Sequence, residues 1–230
     1  MKACHGVPAD VTRISLPSAL APFRLRKEPL QRRATATVEA ILEAAAQILE
    51  RGDALTTNTI AERAGVSIGT LYQYFDAKET LVAELSRNVR NHLVQSVAHA
   101  ISRVDGMPLD ASLRIILGAA LDGEVRRPRL ALVLDRLEAE LGLGMDDAVV
   151  KSHLRDLVSS WLHRLAPLAS GHECTMLAED VQSVVEALTA AAVSRRAVID
   201  EAFIHRTSTT VAAIIESRCA LGPFSSRRVA

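Results

Sequence analysis

The sequence predicts an all-α protein in which a three-helix unit containing a helix-turn-helix precedes a larger helical bundle. Apolar residues recur three and four positions apart in successive segments, which is typical of amphipathic helices. No segment alternates apolar and polar residues for long enough to predict a strand. Aromatic residues are only 3% of the 230-residue chain, and its abundance of Ala and Leu also favours helices over sheets.

Composition excludes several classes of protein. With 49% hydrophobic residues and 27 basic against 27 acidic side chains, the chain is not expected to be wholly disordered. The longest stretches without a charged residue, 64–75 and 91–102, are far shorter than the ~20 residues of a spanning helix, so no membrane span is predicted. Three scattered cysteines form no CxxC pair, which predicts neither a disulfide framework nor a metal site and favours a cytoplasmic protein. No cofactor is expected.

Residues 1–33 form a basic segment with seven basic and two acidic side chains. The segment lacks the continuous apolar core of a signal peptide, so we interpret it as a flexible arm. Two roles stay open: the arm reaches a DNA minor groove or phosphates, or it only increases solubility. The basic side chains nearest the first helix are Arg24, Arg26, Lys27, Arg32 and Arg33.

Caps, glycines and prolines divide the rest of the chain into helices. The first helix is predicted over 37–51, and Gly52 ends it. Two short helices follow, one beginning near Thr56 or Thr57 and one capped by Ser67 and ending at Phe75. Further helices are predicted over 77–103, 109–126, 129–141, 146–165, 175–196 and 199–221. The domains are therefore the arm, a helix-turn-helix domain over 34–78, a helical domain over 79–221 and a tail over 222–230.

The two short helices carry the chemically informative motif. A tight turn containing glycine between two short helices is the pattern of a helix-turn-helix, and Gly65 can adopt the left-handed backbone that the turn needs. Val66 and Leu71 are predicted to pack against the first helix. The side chains predicted to face a DNA major groove are those of Ile68, Gly69, Thr70 and Gln73, and those predicted to flank it and meet phosphates are Tyr72, Tyr74 and Lys78.

The run from Ile60 to Ser67, followed by Gly69-Thr70-Leu71-Tyr72, Tyr74-Phe75 and Lys78-Glu79, resembles the signature of the tetracycline-repressor (TetR) family of bacterial transcriptional regulators. The resemblance covers about a fifth of the chain, residues 37–85. It implies a homodimer on a pseudo-palindromic double-stranded operator, and a C-terminal domain that binds a small molecule and then lowers DNA affinity. It also implies phosphate contacts from Thr57, Tyr72, Tyr74 and Lys78, and base contacts at or near Asn58, Ile68, Gly69, Thr70 and Gln73.

Enzymatic alternatives receive little support from the sequence. Gly65-Val66-Ser67-Ile68-Gly69 matches the G-x-S-x-G of a hydrolase nucleophile, but that motif requires a strand before the serine, and an Ala-rich helix is predicted there. No other set of titratable residues converges on a catalytic site. A protein that is not an enzyme is therefore expected.

A small, mainly apolar ligand is the expected occupant of the helical domain, with a docked protein partner as the alternative. Ligand pockets in helical domains form between helices and are lined mostly by apolar side chains. The candidate lining residues are His92, His99, Leu113, Leu117, Asp122, Leu134 and Trp161. A solvated face is the favoured alternative for the two histidines, and a core anchor is the favoured role for Trp161.

The last two long helices are predicted to form the dimer interface. Small residues on one face allow close helix approach, and apolar residues on the other helix provide surface to bury in a four-helix contact. The residues concerned are Ala187, Ala190, Ala191, Ser194, Val211, Ile214 and Ile215.

Overall fold

A computed structural model describes residues 32–143, 147–167 and 169–220, and these residues contain ten α-helices and no strand. The all-α fold class is therefore confirmed. The helices are α1 Arg32–Arg51, α2 Thr57–Ala64, α3 Ile68–Tyr74, α4 Lys78–Arg103, α5 Leu109–Ala120, α6 Asp122–Arg126, α7 Pro128–Glu140, α8 Asp147–Leu165, α9 Gly171–Ser194 and α10 Glu201–Ala220.

Three differences from the predicted helix boundaries exceed two residues. Helix α1 begins at Arg32, so Arg32 and Arg33 are helical and do not belong to an arm. The segment predicted as one helix over 109–126 is interrupted at Leu121 and forms α5 and α6. Helix α9 begins at Gly171 because Ser170 and Glu173 form a capping box there. The rest of the predicted arm and the predicted tail lie outside the described residues.

The chain divides into two compact units. The helix-turn-helix unit comprises the described residues up to 91 together with 126–143 and 147, and the C-terminal unit comprises 92–125 and the described residues from 148 onwards. Helix α4 contributes residues to both units. The division differs from the predicted boundary at residue 78, because the helix-turn-helix unit also contains the first half of α4 and the whole of α7.

The core of the helix-turn-helix unit forms around α1. Its predicted apolar face is buried throughout, at Val38, Ile41, Leu42, Ala45, Ile48 and Leu49. Helices α2 and α7 both pack against α1, and α7 adds Leu130 and Leu134 to the same hydrophobic cluster. Leu134 is therefore a core residue of the helix-turn-helix unit, whereas Trp161 lies in the cluster of the C-terminal unit.

Polar contacts also fix α7 in the helix-turn-helix unit. Arg90 of α4 donates two hydrogen bonds to the buried carboxylate of Glu138, with N–O distances of 2.9 and 3.0 Å. Its Nε donates a third to Asp147 at 2.9 Å. Burial lowers the pKa of Arg90, but hydrogen bonds and charge from Glu138 and Asp147 outweigh it and raise the pKa overall. At the other end of α7, Arg127 donates to Glu43 of α1 at 2.5 Å.

The C-terminal unit has its own core. Helices α5 and α10 pack together extensively, and α9 packs against α10. Trp161 is 2% exposed and lies in a cluster with Leu113, Val211 and Ile215, which makes it a core residue. None of the helices in the described ranges is both long and apolar enough to cross a membrane.

Candidate nucleic-acid interface

The turn between α2 and α3 is specified by local backbone chemistry. Gly65 adopts φ 65° and ψ 33°, the left-handed conformation that ends many helices. Its N–H donates to the carbonyl of Glu62, and the N–H of Val66 donates to that of Ala61 at 3.0 Å. A Cβ at Gly65 would meet nothing within 4 Å, so glycine is favoured by the backbone conformation and not by lack of space.

Both short helices begin at hydroxyl caps. Thr56 caps α2 and forms a capping box with Thr59 that the sequence analysis missed, although the three-residue spacing was visible. Ser67 caps α3, since its Oγ accepts from the N–H of Thr70 at 3.0 Å and lies 2.8 Å from Thr70 Oγ1. A helix and a turn precede Ser67, so its surroundings are those of a cap and not of the strand-to-helix elbow that a nucleophile needs.

One face of α3 is anchored in the core. Leu71 is 2% exposed and packs in the cluster built around α1. Tyr74 is 8% exposed in the same cluster, which corrects the prediction that it flanks the groove beside Tyr72. At about 100° per residue, two positions along a helix lie on nearly opposite sides, so the two tyrosines cannot share a face.

The opposite face of α3 is open. Ile68 and Tyr72 are 45% and 44% exposed, and Gly69 and Gln73 are also exposed. These four residues occupy one continuous surface on the side away from Leu71 and Tyr74, spanning about 140° of the helix. Thr70 is half-buried at its edge. We call the surface formed by Ile68, Gly69, Tyr72 and Gln73 the recognition face.

Three predicted DNA contacts are accessible on the neighbouring helices. Asn58 is exposed and Thr57 is half-buried in the first turn of α2. Lys78 is exposed as the first residue of α4. The hydroxyl of Thr57 and the ammonium group of Lys78 are suitable donors to phosphate oxygens, and the exposed amide of Asn58 is the predicted base contact on α2. Every predicted DNA contact except Tyr74 is therefore at least partly accessible.

The predicted ligand-pocket residues do not share one environment. Leu113, Leu117 and Trp161 are buried in the C-terminal unit, but His92 and His99 are exposed on α4, so these histidines do not line an interior pocket. A solvated face was the favoured alternative for these two histidines. Asp122 is half-buried at the start of α6.

Glu124, two residues beyond Asp122, is a partly buried carboxyl that the sequence analysis missed. Burial raises the pKa of Glu124 above its usual value, against a smaller lowering by a hydrogen bond from its own backbone. The described residues contain no group of three or more His, Cys, Asp or Glu side chains that could hold a metal ion.

The predicted dimer residues fall into two groups. Ala187, Ala190 and Ser194 are exposed on α9, with Ala191 half-buried beside them. Ile214 of α10 is also half-buried. Val211 and Ile215 are at most 2% exposed in the core of their own subunit, so their predicted place in a dimer interface is wrong. The apolar pattern of α10 serves the contact with α5.

The helix-turn-helix region also matches a known family. Residues 41–85 match the model of the bacterial regulatory proteins of the tetR family. The chain carries a TetR-family DNA-binding domain. The family consists of transcription regulators and not of enzymes. The TetR match covers the recognition face together with the second half of α1 and the start of α4.

Solved structures of transcriptional regulators share the fold over most of the chain. The chain is similar to a TetR transcription regulator from Haloarcula marismortui ATCC 43049, with a TM-score of 0.61, 16% identity, and coverage of 80% of this chain and 98% of that chain. It is also similar to a TetR-family transcriptional regulator from Streptomyces coelicolor, with a TM-score of 0.54, 20% identity and coverage of 79% and 98%. A transcriptional regulator from Rhodococcus sp. RHA1 is similar with a TM-score of 0.54 and 20% identity, and the match covers 80% of this chain and 96% of that chain. The fold is that of TetR-family transcriptional regulators.

Proposed function

We propose that the protein is a sequence-specific transcriptional repressor that binds a pseudo-palindromic operator as a homodimer. The recognition face of α3 carries this proposal, because it is exposed opposite an anchored face and lies in the region matched by the TetR model. Helices presented in this way read base edges in the major groove while neighbouring groups hold the phosphates.

Binding to the upstream region of the protein's own gene tests this function. A labelled duplex should be retarded, and affinity should fall steeply with salt, by roughly 0.9 log units per log unit of salt for each phosphate neutralised. Lys78→Ala should weaken binding to all sequences and reduce that slope by about 0.9 for each copy of Lys78. Arg114→Ala, at an exposed position on α5 of the C-terminal unit, is the matched control and should leave the slope unchanged. If no genomic fragment is retarded, the proposed function fails.

Dimerisation is supported by the small exposed residues Ala187, Ala190 and Ser194 on α9. Two subunits joined about a two-fold axis would place their recognition helices on half-sites about 34–36 Å apart, or a multiple of that distance. Light scattering should report a dimer at micromolar concentration. A stable monomer would contradict the proposal.

Release by a small apolar ligand in the C-terminal unit is the proposed means of control. Helix α4 supports it, because one helix of 26 residues carries Lys78 at its start and core residues Val97 and Ile101 of the C-terminal unit near its end. A ligand that shifts α4 changes operator affinity only by its differential affinity for the two states, typically ~1–3 kcal/mol.

Reciprocal linkage distinguishes this control from the alternative, a docked protein partner. A compound that weakens operator binding must itself bind less tightly when operator is present. Screening apolar compounds against the operator complex, followed by calorimetry with and without operator, measures both affinities. Failure of every compound would favour the protein partner.

A further inference from the structure

The chemistry of the recognition face is restricted for a surface that reads DNA. Helix α3 has the sequence Ile-Gly-Thr-Leu-Tyr-Gln-Tyr and carries no charged side chain. Arg and Lys are the commonest readers of guanine, because they donate to its O6 and N7 in the major groove. The face therefore lacks the side chains that recognise G·C pairs most strongly.

The polar groups of α3 further limit the bases that this helix can recognise. Thr70 is half-buried, and its hydroxyl lies 2.8 Å from the Oγ of Ser67 in the cap. Gly69 presents only backbone. Gln73 is left as the exposed amide of the recognition face. The carboxamide of glutamine matches adenine, since it can accept from N6 and donate to N7 at once.

Ile68 supplies the second, apolar feature. It is the first residue of α3 and is 45% exposed, on the side of the helix away from the buried Leu71 and Tyr74. The first residues of a recognition helix are those that approach base edges. The only apolar group on a base edge in the major groove is the 5-methyl group of thymine.

We propose that the recognition helix reads A·T pairs in each half-site, with Ile68 packed on the 5-methyl group of a thymine and Gln73 paired with an adenine. The inference rests on the proposed function and specifies the bases that function requires. Gly69, between these two residues, leaves room for the backbone of α3 to approach the groove.

Selection from random duplexes followed by removal of single methyl groups tests the inference. Full-length protein is used to enrich a site, and each thymine of that site is then replaced by deoxyuridine, which lacks the methyl group and keeps the same hydrogen-bonding groups. Each half-site should contain one thymine that is sensitive to the replacement. Replacing it in one half-site should weaken binding about fourfold, the effect of one buried methyl-sized group. Replacement in both half-sites should weaken it by roughly an order of magnitude.

Variants identify the side chain responsible. Ile68→Ala should bind the thymine and deoxyuridine sites equally, whereas Ile68→Val should retain part of the discrimination. Leu132→Ala is the matched control, because Leu132 is an apolar side chain that is 53% exposed on α7 of the same unit, and it should discriminate like the unaltered protein. Ile68 is not part of the hydrophobic cluster, so its variants should unfold at the same denaturant concentration as the parent.

Each outcome of the selection has a distinct meaning. An enriched site whose affinity is insensitive to every methyl group would overturn the inference and leave the proposed function standing. An enriched site composed of G·C pairs would do the same. Enrichment of no site at all would overturn the proposed function, and the inference with it.

Discussion

Two glycines four residues apart in the helix-turn-helix should respond in opposite directions to the same substitution. Gly65 has φ 65°, a conformation that costs an alanine about 1–2 kcal/mol, while the stiffer unfolded chain offsets roughly 0.4–1 kcal/mol of that. Gly65→Ala should therefore destabilise the fold by about 1 kcal/mol. Gly69 is helical, and its added Cβ would lie 3.7 Å from Ser67 Oγ, an ordinary contact. Gly69→Ala should stabilise by up to about 1 kcal/mol.

Urea unfolding followed by far-UV circular dichroism measures both effects. The midpoints should differ in opposite directions from the parent with unchanged slope, and the two variants should be separated by about 1.5–2 kcal/mol. Gly69→Ala should weaken operator binding although it stabilises the fold, because the new methyl group faces the groove. Equal stabilities for the two variants would refute the conformational argument. Unchanged operator affinity for Gly69→Ala would refute the close approach of α3.

Two further predictions concern ionic groups. Arg90→Met leaves the buried carboxylate of Glu138 without its bidentate partner and should destabilise by about 3 kcal/mol, whereas Arg136→Ala, which breaks an exposed pair with Glu140, should change stability by less than about 0.5 kcal/mol. Similar unfolding midpoints for these two variants would contradict the importance of burial. Glu124 has a pKa raised above its usual 4.5, so the folded state binds its proton more tightly and stability is lost as pH rises from that value through the raised pKa. Glu124→Gln should therefore be more stable than the parent at neutral pH, with no gain at pH 4, as unfolding midpoints at the two pH values would show.

The sequence predicts those parts of the fold that local chemistry determines. Thr56, Gly65 and Ser67 specify the ends of α2 and α3 through hydrogen bonds within a few residues, so the helix-turn-helix was placed almost to the residue. The buried face of α1 follows from its periodicity alone. The exposed recognition face follows in turn, because anchoring Leu71 fixes the rotation of α3.

The errors concern contacts that are distant in the sequence. Val211 and Ile215 form an apolar stripe, and periodicity does not say whether such a stripe faces its own core or a partner. Leu134 was predicted only as a pocket residue, and its place in the core around α1 could not be foreseen, because α7 packs on α1 from more than 70 positions away. Tyr74 is different, because helical geometry alone would have placed it opposite Tyr72.

Helix α7 makes the helix-turn-helix unit discontinuous along the chain. A fragment ending at residue 85, where the match to the family ends, would lose Leu130 and Leu134 from its core and leave an apolar surface on α1 exposed. It would also lose the Arg90–Glu138 pair. The unit therefore cannot be transplanted by a single cut in the gene: a chimaera that exchanges operator specificity must carry residues 126–143 together with the N-terminal helices, or change only the recognition face on an otherwise intact chain.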